Sequence, residues 1–268
     1  MSHYTNTSSN NDTSYPLATT VMKALTLLEF VAHHQPVQPA VITRELKLTR
    51  ANVHRLLATL VRTGYLEKVQ NGYQLSLKLF QLGSTVPIKE QLRELAREQM
   101  HVLERLVREN VYLTVLYNDQ VIAIEEVKSV HTVVLNPDIV YTYPVNTCAS
   151  GKILLSSYTD ENLDAYLNSL EMVKRTEFTI TDKDEFRRQI RQAGDQCYAL
   201  ELLEHGDHLN SVASPIRDRN GDVIAAIGVS GPSMRLTEEK LKECIEPLKT
   251  SAALITEKMI QNNKPLNW

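Results

Sequence analysis

The chain has 268 residues, of which 43% are hydrophobic and 23% charged, a composition typical of a folded globular protein with room for two domains. No stretch approaches the roughly 20 apolar residues of a membrane span, and the polar first 15 residues lack the apolar centre of a secretory signal. The three cysteines are far apart and without C-x-x-C spacing, which disfavours a disulfide framework or zinc ribbon and indicates a cytoplasmic protein.

The net charge of −3 is divided unevenly along the chain. Residues 1–85 carry eight Lys or Arg against four Asp or Glu, a net of +4, while the remainder carries 21 against 28, a net of −7. A basic front part on an acidic body favours a small DNA-binding domain joined to a second domain.

The first elements in chain order are a tail and two helices. Residues 1–15 are polar and predict a disordered tail. The first helix is predicted from Ala18 to His34, with a buried face made of Val21, Leu25, Leu28 and Val31. A short second helix is predicted from Pro39 to Leu46, because proline is tolerated in the first helical turn.

The third predicted helix, between Thr49 and Tyr65, is the most informative segment of the chain. Thr49 is a good N-cap, and Gly64 is suited to a left-handed end. One stripe is apolar and consists of Val53, Leu56, Leu57 and Leu60. The opposite face carries Arg50, His54, Arg55, Ala58 and Arg62. A short helix with an aliphatic back and a basic, hydrogen-bonding front fits the major groove of DNA.

Two short strands follow, at residues 65–68 and 73–75, around an Asn71-Gly72 hairpin signal. Three helices and a hairpin predict a winged helix-turn-helix domain over residues 16–83, closed by a short helix from Leu77 to Gly83. A linker helix is predicted within residues 84–110. Its apolar stripe consists of Leu92, Leu95, Gln99, Val102 or Leu103, and Leu106.

Residues 111–268 predict an α+β domain with a mostly antiparallel sheet of five or six strands and helices outside it. Strands are predicted at 111–117, 121–127, 131–135, 196–200, 209–217 and 223–229, with a loop at 136–146. Helices are predicted at 149–158, 161–170, 182–193 (closed by Gly194) and from Thr237 to near the end of the chain.

Six segments in this order resemble the IclR family of bacterial transcription regulators. They are V-M-K-A-L-T-L-L-E at 21–29, V-H-R-L-L-A-T-L-V-R-T-G-Y-L at 53–66, Y-Q-L-S-L-K-L-F-Q-L-G at 73–83, S-G-K-I-L-L at 150–155, C-Y-A-L-E at 197–201 and V-A-S-P-I-R-D-R-N-G-D-V-I-A-A-I-G-V-S-G-P at 212–232. The resemblance covers about residues 17–260. It implies a homodimer or homotetramer, double-stranded operator DNA as partner and a GAF-like effector-binding domain. Residues 73–83 are also similar to the subgroup that controls sugar-acid breakdown.

The candidate DNA contacts lie on the third helix and the wing. Thr49 and the free N–H groups behind it suit a phosphate, and Lys68 suits the neighbouring DNA backbone. Arg50 and Arg55 can donate to guanine or phosphate, Asn52 to adenine, and His54 to either. The family usually has Ser-Thr where this chain has Ala51-Asn52, so the operator preference is not transferable. The alternative is that the basic side chains form a solvated face.

The resemblance implies that a small anionic effector lies between the sheet and the helix near the S-G-K motif. Ala149 and Ser150 would offer backbone N–H groups to a carboxylate. The motif carries over five further positions, Glu201, Leu209, Ser211, Gly228 and Ser230. Family members more often have Asp at 201, Cys at 211 and Ser at 228, which predicts a different ligand, still a small hydroxy acid, keto acid or sugar acid. The alternative is that these are ordinary strand-end residues.

Three other features carry less specific signals. Residues 204–208 could bind a metal, but they lack helical ligand spacing and are interpreted as a polar loop at the mouth of the pocket. Cys148 precedes a helix, yet no base is placed to activate it, so an inert side chain is expected. S-G-K at 150–152 is not a phosphate-binding P-loop, and no cofactor is predicted.

The sequence therefore predicts a DNA-binding transcription regulator, a repressor of a catabolic operon under the control of a small carboxylate, and no enzyme activity. Two alternatives stay open at this point. One is an enzyme acting on a small acid, and the other is a ligand-sensing protein that binds another protein through its basic helix.

Overall fold

The computed structural model describes residues 17–85, 90–131 and 142–261, and the chain divides into two units, residues 1–86 and 87–268. Among the described residues, no helix is both long and apolar enough to cross a membrane.

The described part of the first unit contains four helices and a hairpin: α1 (Thr19–His34), α2 (Pro39–Glu45), α3 (Arg50–Arg62), β1 (Leu66–Val69), β2 (Gly72–Leu75) and α4 (Leu77–Ser84). Its core unites α1, α2, α3 and the hairpin through Leu27, Val31, Val37, Ile42, Val53, Leu56, Leu57, Leu60 and Leu66. This arrangement confirms the predicted winged helix-turn-helix, including the aliphatic back of α3 and the left-handed Gly64 with φ +79°.

The buried face of α1 agrees with the predicted one only in the second half of the helix. Val31 is buried and Leu28 is partly buried as predicted, whereas Val21 and Leu25 are 56% and 54% exposed and Leu27 is buried instead. The first half of α1 is apolar on more than one side, so its sequence does not specify which side faces the core.

The wing is attached to the chain ahead of α2. Val37 and Tyr73 exchange two backbone hydrogen bonds of 3.0 and 2.9 Å, which adds a short third strand to the hairpin. Gly72 makes this approach possible: its φ is +142°, and a Cβ there would lie 2.4 Å from the Val37 carbonyl oxygen. The wing position is therefore fixed by backbone contacts.

The second unit contains a six-stranded sheet in the order β5-β4-β3-β8-β7-β6, and every neighbouring pair is antiparallel. The strands are β3 (Asn110–Tyr117), β4 (Gln120–Val127), β5 (Thr142–Pro144), β6 (Ala199–Leu202), β7 (Leu209–Arg217) and β8 (Val223–Pro232). The helices are α5 (Glu90–Val107), α6 (Ala149–Leu154), α7 (Asp160–Ser169), α8 (Lys183–Gln196) and α9 (Glu238–Gln261). The predicted α+β class is confirmed.

Helices cover both faces of this sheet. The alternate strand residues that include Val111, Val212 and Val229 share one core with α5 and α9. The other face, with Ala213 and Ala226, packs against α6, α7 and α8. On that second face, register places Ser211 opposite Ser230 and Gly228 between Ala213 and Tyr112.

Three predictions for this unit were wrong in detail. In the predicted stripe of α5, Leu92, Gln99 and Leu103 are buried and Leu95 is partly buried, but Leu106 is 63% exposed. The core shared with α9 also takes in Ala96, Met100 and Val107. The predicted loop 136–146 contains β5, an edge strand that accommodates Pro144. Helix α8 continues past Gly194 to Gln196 and ends at Cys197, which adopts the left-handed φ of +59°.

Other boundaries moved by a few residues. Helix α6 stops at Leu154 and not at Tyr158, and β8 continues beyond Val229 to Pro232. The predicted strand 131–135 lies outside the described residues except for His131, which is not in a strand.

Candidate functional site

The exposed face of α3 is the first candidate site. The Thr49 hydroxyl accepts a hydrogen bond of 3.3 Å from the Asn52 N–H, as an N-cap does. Behind the helix, Val53, Leu56, Leu57 and Leu60 are buried. In front, the side chains of Arg50, His54, Arg55, Ala58 and Arg62 are exposed. Burial of the apolar stripe therefore fixes a cationic ridge at the surface.

Asn52 lies at the flank of this ridge and is half-buried. Its Oδ1 accepts a hydrogen bond of 3.0 Å from Nη2 of Arg55. The bond orders the guanidinium along the helix, and it engages the amide oxygen that a bidentate contact to adenine would need.

The end of α3 is fixed by residues of the following elements. Lys78 Nζ donates to the Thr63 carbonyl at 2.7 Å and lies 4.5 Å from the centre of the Tyr65 ring. The Ser76 hydroxyl donates to the Gly64 carbonyl. Lys78 thus satisfies one carbonyl at the end of the helix, whereas Lys68 is exposed on β1 of the wing.

The second candidate site is a cavity of about 450 Å³, including its open mouth, on the α6 face of the sheet. It is lined by Tyr112, Thr114, Val121, Tyr143, Cys148, Ser150, His205, Leu209, Ser211, Val212, Gly228, Val229 and Ser230. Five of the seven predicted effector residues are in this lining: Ser150, Leu209, Ser211, Gly228 and Ser230.

The other two predicted residues, Ala149 and Glu201, are outside this lining. Ala149 is buried at the start of α6. Glu201 is fully buried on β6, behind Ser211, and its carboxylate accepts three hydrogen bonds: 2.8 Å from the Glu204 N–H, 3.1 Å from the His205 N–H and 2.9 Å from the Ser211 hydroxyl. Burial raises the pKa of Glu201 to about 7.

A buried ion pair lies next to Glu201. Lys152, only 1% exposed on α6, donates 2.6 Å to Glu204 Oε1 and 2.8 Å to the Leu200 carbonyl. Burial raises the pKa of Glu204, and the Lys152 ammonium opposes that effect. The pair joins α6 to the loop that follows β6.

That loop was predicted to lie at the mouth of the pocket, and the structure places His205 in the cavity wall. His205 Nδ1 is 3.0 Å from the Thr147 hydroxyl, and its ring meets the Tyr143 ring edge-on with 4.7 Å between centres. Within the described residues, no group of three or more His, Cys, Asp or Glu could hold a metal ion.

Cys148 also reaches the cavity wall. Burial raises the pKa of its thiol to about 12, the opposite of what a nucleophile requires. The expectation of an inert cysteine agrees with this environment.

The tyrosine and threonine side chains of the lining were not predicted from the sequence. Tyr112, Tyr143 and His205 come from three distant segments, and only the strand order brings them together. The alternation of side chains along β3 could have indicated that Tyr112 and Thr114 lie on the same face of the sheet. It could not have indicated that β3 pairs with β8.

A winged helix-turn-helix with an exposed cationic ridge defines a DNA-binding protein, and the second unit adds a cavity lined by serine, threonine and tyrosine side chains. Family models agree with both parts: the IclR helix-turn-helix domain matches residues 20–70, and the C-terminal domain of the bacterial transcriptional regulator IclR matches residues 86–257. The chain belongs to the IclR family of bacterial transcriptional regulators.

Individual relatives cover most of the chain. The HTH-type transcriptional regulator KdgR of Escherichia coli is 29% identical over 91% of this chain and 94% of its own length. The HTH-type transcriptional repressor AllR of Salmonella typhimurium is 28% identical over 74% of each chain. An IclR homologue from Microbacterium hydrocarbonoxydans, solved with 4-hydroxybenzoate, is 26% identical, with a TM-score of 0.73 over 90% of this chain and 98% of its own. These relatives are transcriptional regulators, in agreement with the prediction that the chain is not an enzyme.

Proposed function

We propose that the chain represses a catabolic operon and that a small carboxylate or sugar acid controls its hold on operator DNA. The relation to a repressor, AllR, and to KdgR supports this mode of action. The observation that carries the DNA-binding part is the exposed ridge on α3, because its aliphatic back is buried and its front is cationic.

The proposed DNA contacts are Thr49, Arg50, Asn52, His54, Arg55 and Lys68. Arg50 and His54 are exposed one helical turn apart and suit base edges. Thr49 lies at the helix N-terminus and suits a phosphate, as does Lys68 on the wing. Arg55 contributes charge to any duplex, since Asn52 holds its guanidinium along the ridge.

The proposed effector site is the cavity on the α6 face, with Ser150, Leu209, Ser211, Gly228 and Ser230 in its lining and Ala149 and Glu201 outside that lining. Its hydroxyl groups suit a ligand with several polar atoms. No side chain caps α6, which supports the proposal that the N–H groups of Ala149 and Ser150 bind a carboxylate. The relative solved with 4-hydroxybenzoate binds a small hydroxylated carboxylic acid, which supports this class.

We further propose that the chain acts in the cytoplasm as a homodimer or a homotetramer. Leu17, Val21, Met22 and Leu25 at the start of α1 are all at least 50% exposed, an apolar surface that association would cover. A dimer would also present two α3 helices to half-sites about one helical turn apart.

Selection of binding sites from a random duplex pool, followed by footprinting, tests this function with the full-length protein. We expect a sequence with two-fold symmetry and an affinity that falls steeply as salt is added. A panel of gluconate, lactate, pyruvate and 4-hydroxybenzoate is then added to the complex, and we expect one class to release the DNA. Failure to enrich any sequence would contradict the proposal for DNA, and indifference to every acid would contradict the effector class.

A further inference from the structure

The Ser211 hydroxyl lies between the cavity and the buried Glu201. Ser211 lines the cavity from β7, and Glu201 faces it from β6 as its direct partner in the antiparallel register. The hydroxyl donates to Glu201 Oε2 at 2.9 Å. Glu201 thus acts on the cavity through Ser211.

The orientation of the Glu201 carboxylate is fixed by its other hydrogen bonds. Its other oxygen accepts from the N–H groups of Glu204 and His205, and the residue has no exposed surface. Rotation would leave buried N–H groups without an acceptor, which costs about 1–3 kcal/mol each. The direction of the Ser211 bond is therefore set by the loop that follows β6.

A serine hydroxyl has one proton and two lone pairs. Above its raised pKa of about 7, Glu201 is ionised and can only accept, so it takes the Ser211 proton and Ser211 presents only lone pairs to the cavity. Thr114, also in the lining, likewise presents only lone pairs, since its hydroxyl donates its proton to the Ala226 carbonyl at 3.2 Å. This part of the wall accepts hydrogen bonds and does not offer them.

We propose that Glu201 is a specificity-determining residue that makes Ser211 a hydrogen-bond acceptor, so that the cavity selects a hydroxy acid over the matching keto acid. The inference rests on the proposed effector function and narrows it to ligands that bring a hydroxyl donor to Ser211. A keto oxygen at that place would face lone pairs and leave the Ser211 oxygen without a donor.

The substitution Glu201→Gln provides the decisive test because it keeps the shape and reverses the polarity. The two N–H groups fix the amide oxygen of glutamine, so its NH₂ group faces Ser211 and donates to it. The Ser211 proton is then free to point into the cavity. We expect the preference for the hydroxy acid to be lost, because a ligand hydroxyl and a keto oxygen can both accept the Ser211 proton.

Isothermal titration calorimetry of the full-length protein at pH 8.5 measures this with two matched pairs, lactate with pyruvate and gluconate with 2-ketogluconate. The wild type is expected to bind the hydroxy member of a pair about tenfold more tightly. Ser211→Ala is expected to bind both members with similar affinity. Ser230→Ala is the matched control on the facing strand, and it is expected to weaken both members without changing their ratio.

The outcomes separate this inference from the function on which it rests. Equal affinities within each pair in the wild type, or an unchanged preference in Glu201→Gln, would overturn the role of Glu201 while the effector site stands. If Glu201→Gln does not fold, Ser211→Ala decides, because a preserved preference there overturns the proposal. Absence of binding by all four acids in the wild type would overturn the effector class and this inference together.

Discussion

On the exposed face of α3, Nη2 of Arg55 donates a hydrogen bond of 3.0 Å to Oδ1 of Asn52. The bond spans one helical turn and points the guanidinium along the ridge and not straight out from it. A side chain held in this way is ready to meet a phosphate with little loss of conformational entropy.

Arg55→Ala is expected to weaken binding to specific and random duplexes alike, because a phosphate contact is insensitive to sequence. Fluorescence anisotropy at several salt concentrations should give a slope of log K against log salt that is smaller by about 1 for each α3 on the DNA, or about 2 for a dimer. Arg188→Ala is the control, since Arg188 is an exposed arginine on α8 of the other unit, paired with Glu185. Binding that is unchanged in Arg55→Ala would show that the ridge does not contact DNA.

Thr49→Ala removes the N-cap of α3 and is expected to lower the free energy of unfolding of the first unit by about 1 kcal/mol. Thr49→Ser keeps the hydroxyl and should keep most of that stability. Urea unfolding monitored by a probe in the first unit measures both variants. Equal losses in the two would mean that the cap bond contributes nothing.

Gly72→Ala is expected to displace the wing, because the new Cβ would lie 2.4 Å from the Val37 carbonyl oxygen and φ is +142°. The expected result is a loss of thermal stability together with weaker DNA binding. Gly83→Ala on α4 is the matched control, as its Cβ would have no neighbour within 4 Å. If both variants melt alike, the close approach to Val37 is not a constraint.

The structure of the first unit could be predicted where the pattern of apolar and polar residues is compatible with only one buried face. In α3, the apolar and basic residues separate into two faces, and the cap residues mark both ends, so helix, ridge and turn all follow from local sequence. In α1, apolar residues occur on more than one side. Only packing against α2, α3 and the wing decides that Leu27 is inside and Leu25 outside.

The cavity, too, could be predicted from the sequence only in part, because its residues are distant from one another along the chain. Ser211, Gly228 and Ser230 could be proposed from motifs, and all three are in the lining. The position of Glu201 behind Ser211 could not, because it depends on the bonds that its carboxylate makes with the loop after β6. Likewise, β5 resembles a loop in sequence because Pro144 is tolerated only by its edge position.

Lys152→Met is expected to lower the free energy of unfolding of the second unit by about 3–5 kcal/mol, because it leaves Glu204 buried without its partner. The double variant Lys152→Met with Glu204→Leu should recover much of this loss, since the orphaned charge is removed as well. Chemical denaturation of the three proteins provides the comparison. A single variant as stable as the wild type would show that water or movement of the loop compensates the charge.

The stability of the wild type relative to Glu201→Gln is expected to fall as the pH rises from about 4.5 to 7. Burial raises the pKa of Glu201 from 4.5 to about 7, so in this range the folded protein holds a proton that the unfolded chain has released. The expected fall is roughly 3 kcal/mol, by the relation between a pKa shift and free energy.

Urea unfolding at several pH values between 4.5 and 8 measures this difference. Glu204 and His205 in the following loop, Lys152 and Cys148 on the α6 side, and Ser211 on β7 face the same region and are present in both proteins. The difference therefore isolates position 201. Parallel curves for the two proteins would mean that Glu201 titrates at its ordinary value.

The alternation of β7 and β8 has a consequence for how this cavity can change over generations. Ser211, Ser230 and Gly228 face the cavity only because each strand pairs in one register. A point substitution changes one side chain of the cavity wall, but an odd insertion between the strands that shifted the pairing by one residue would turn the valines of the α9 side toward the cavity. New specificities are therefore accessible by exchanging single side chains, and the Asp218–Asp222 turn must keep its length while they do.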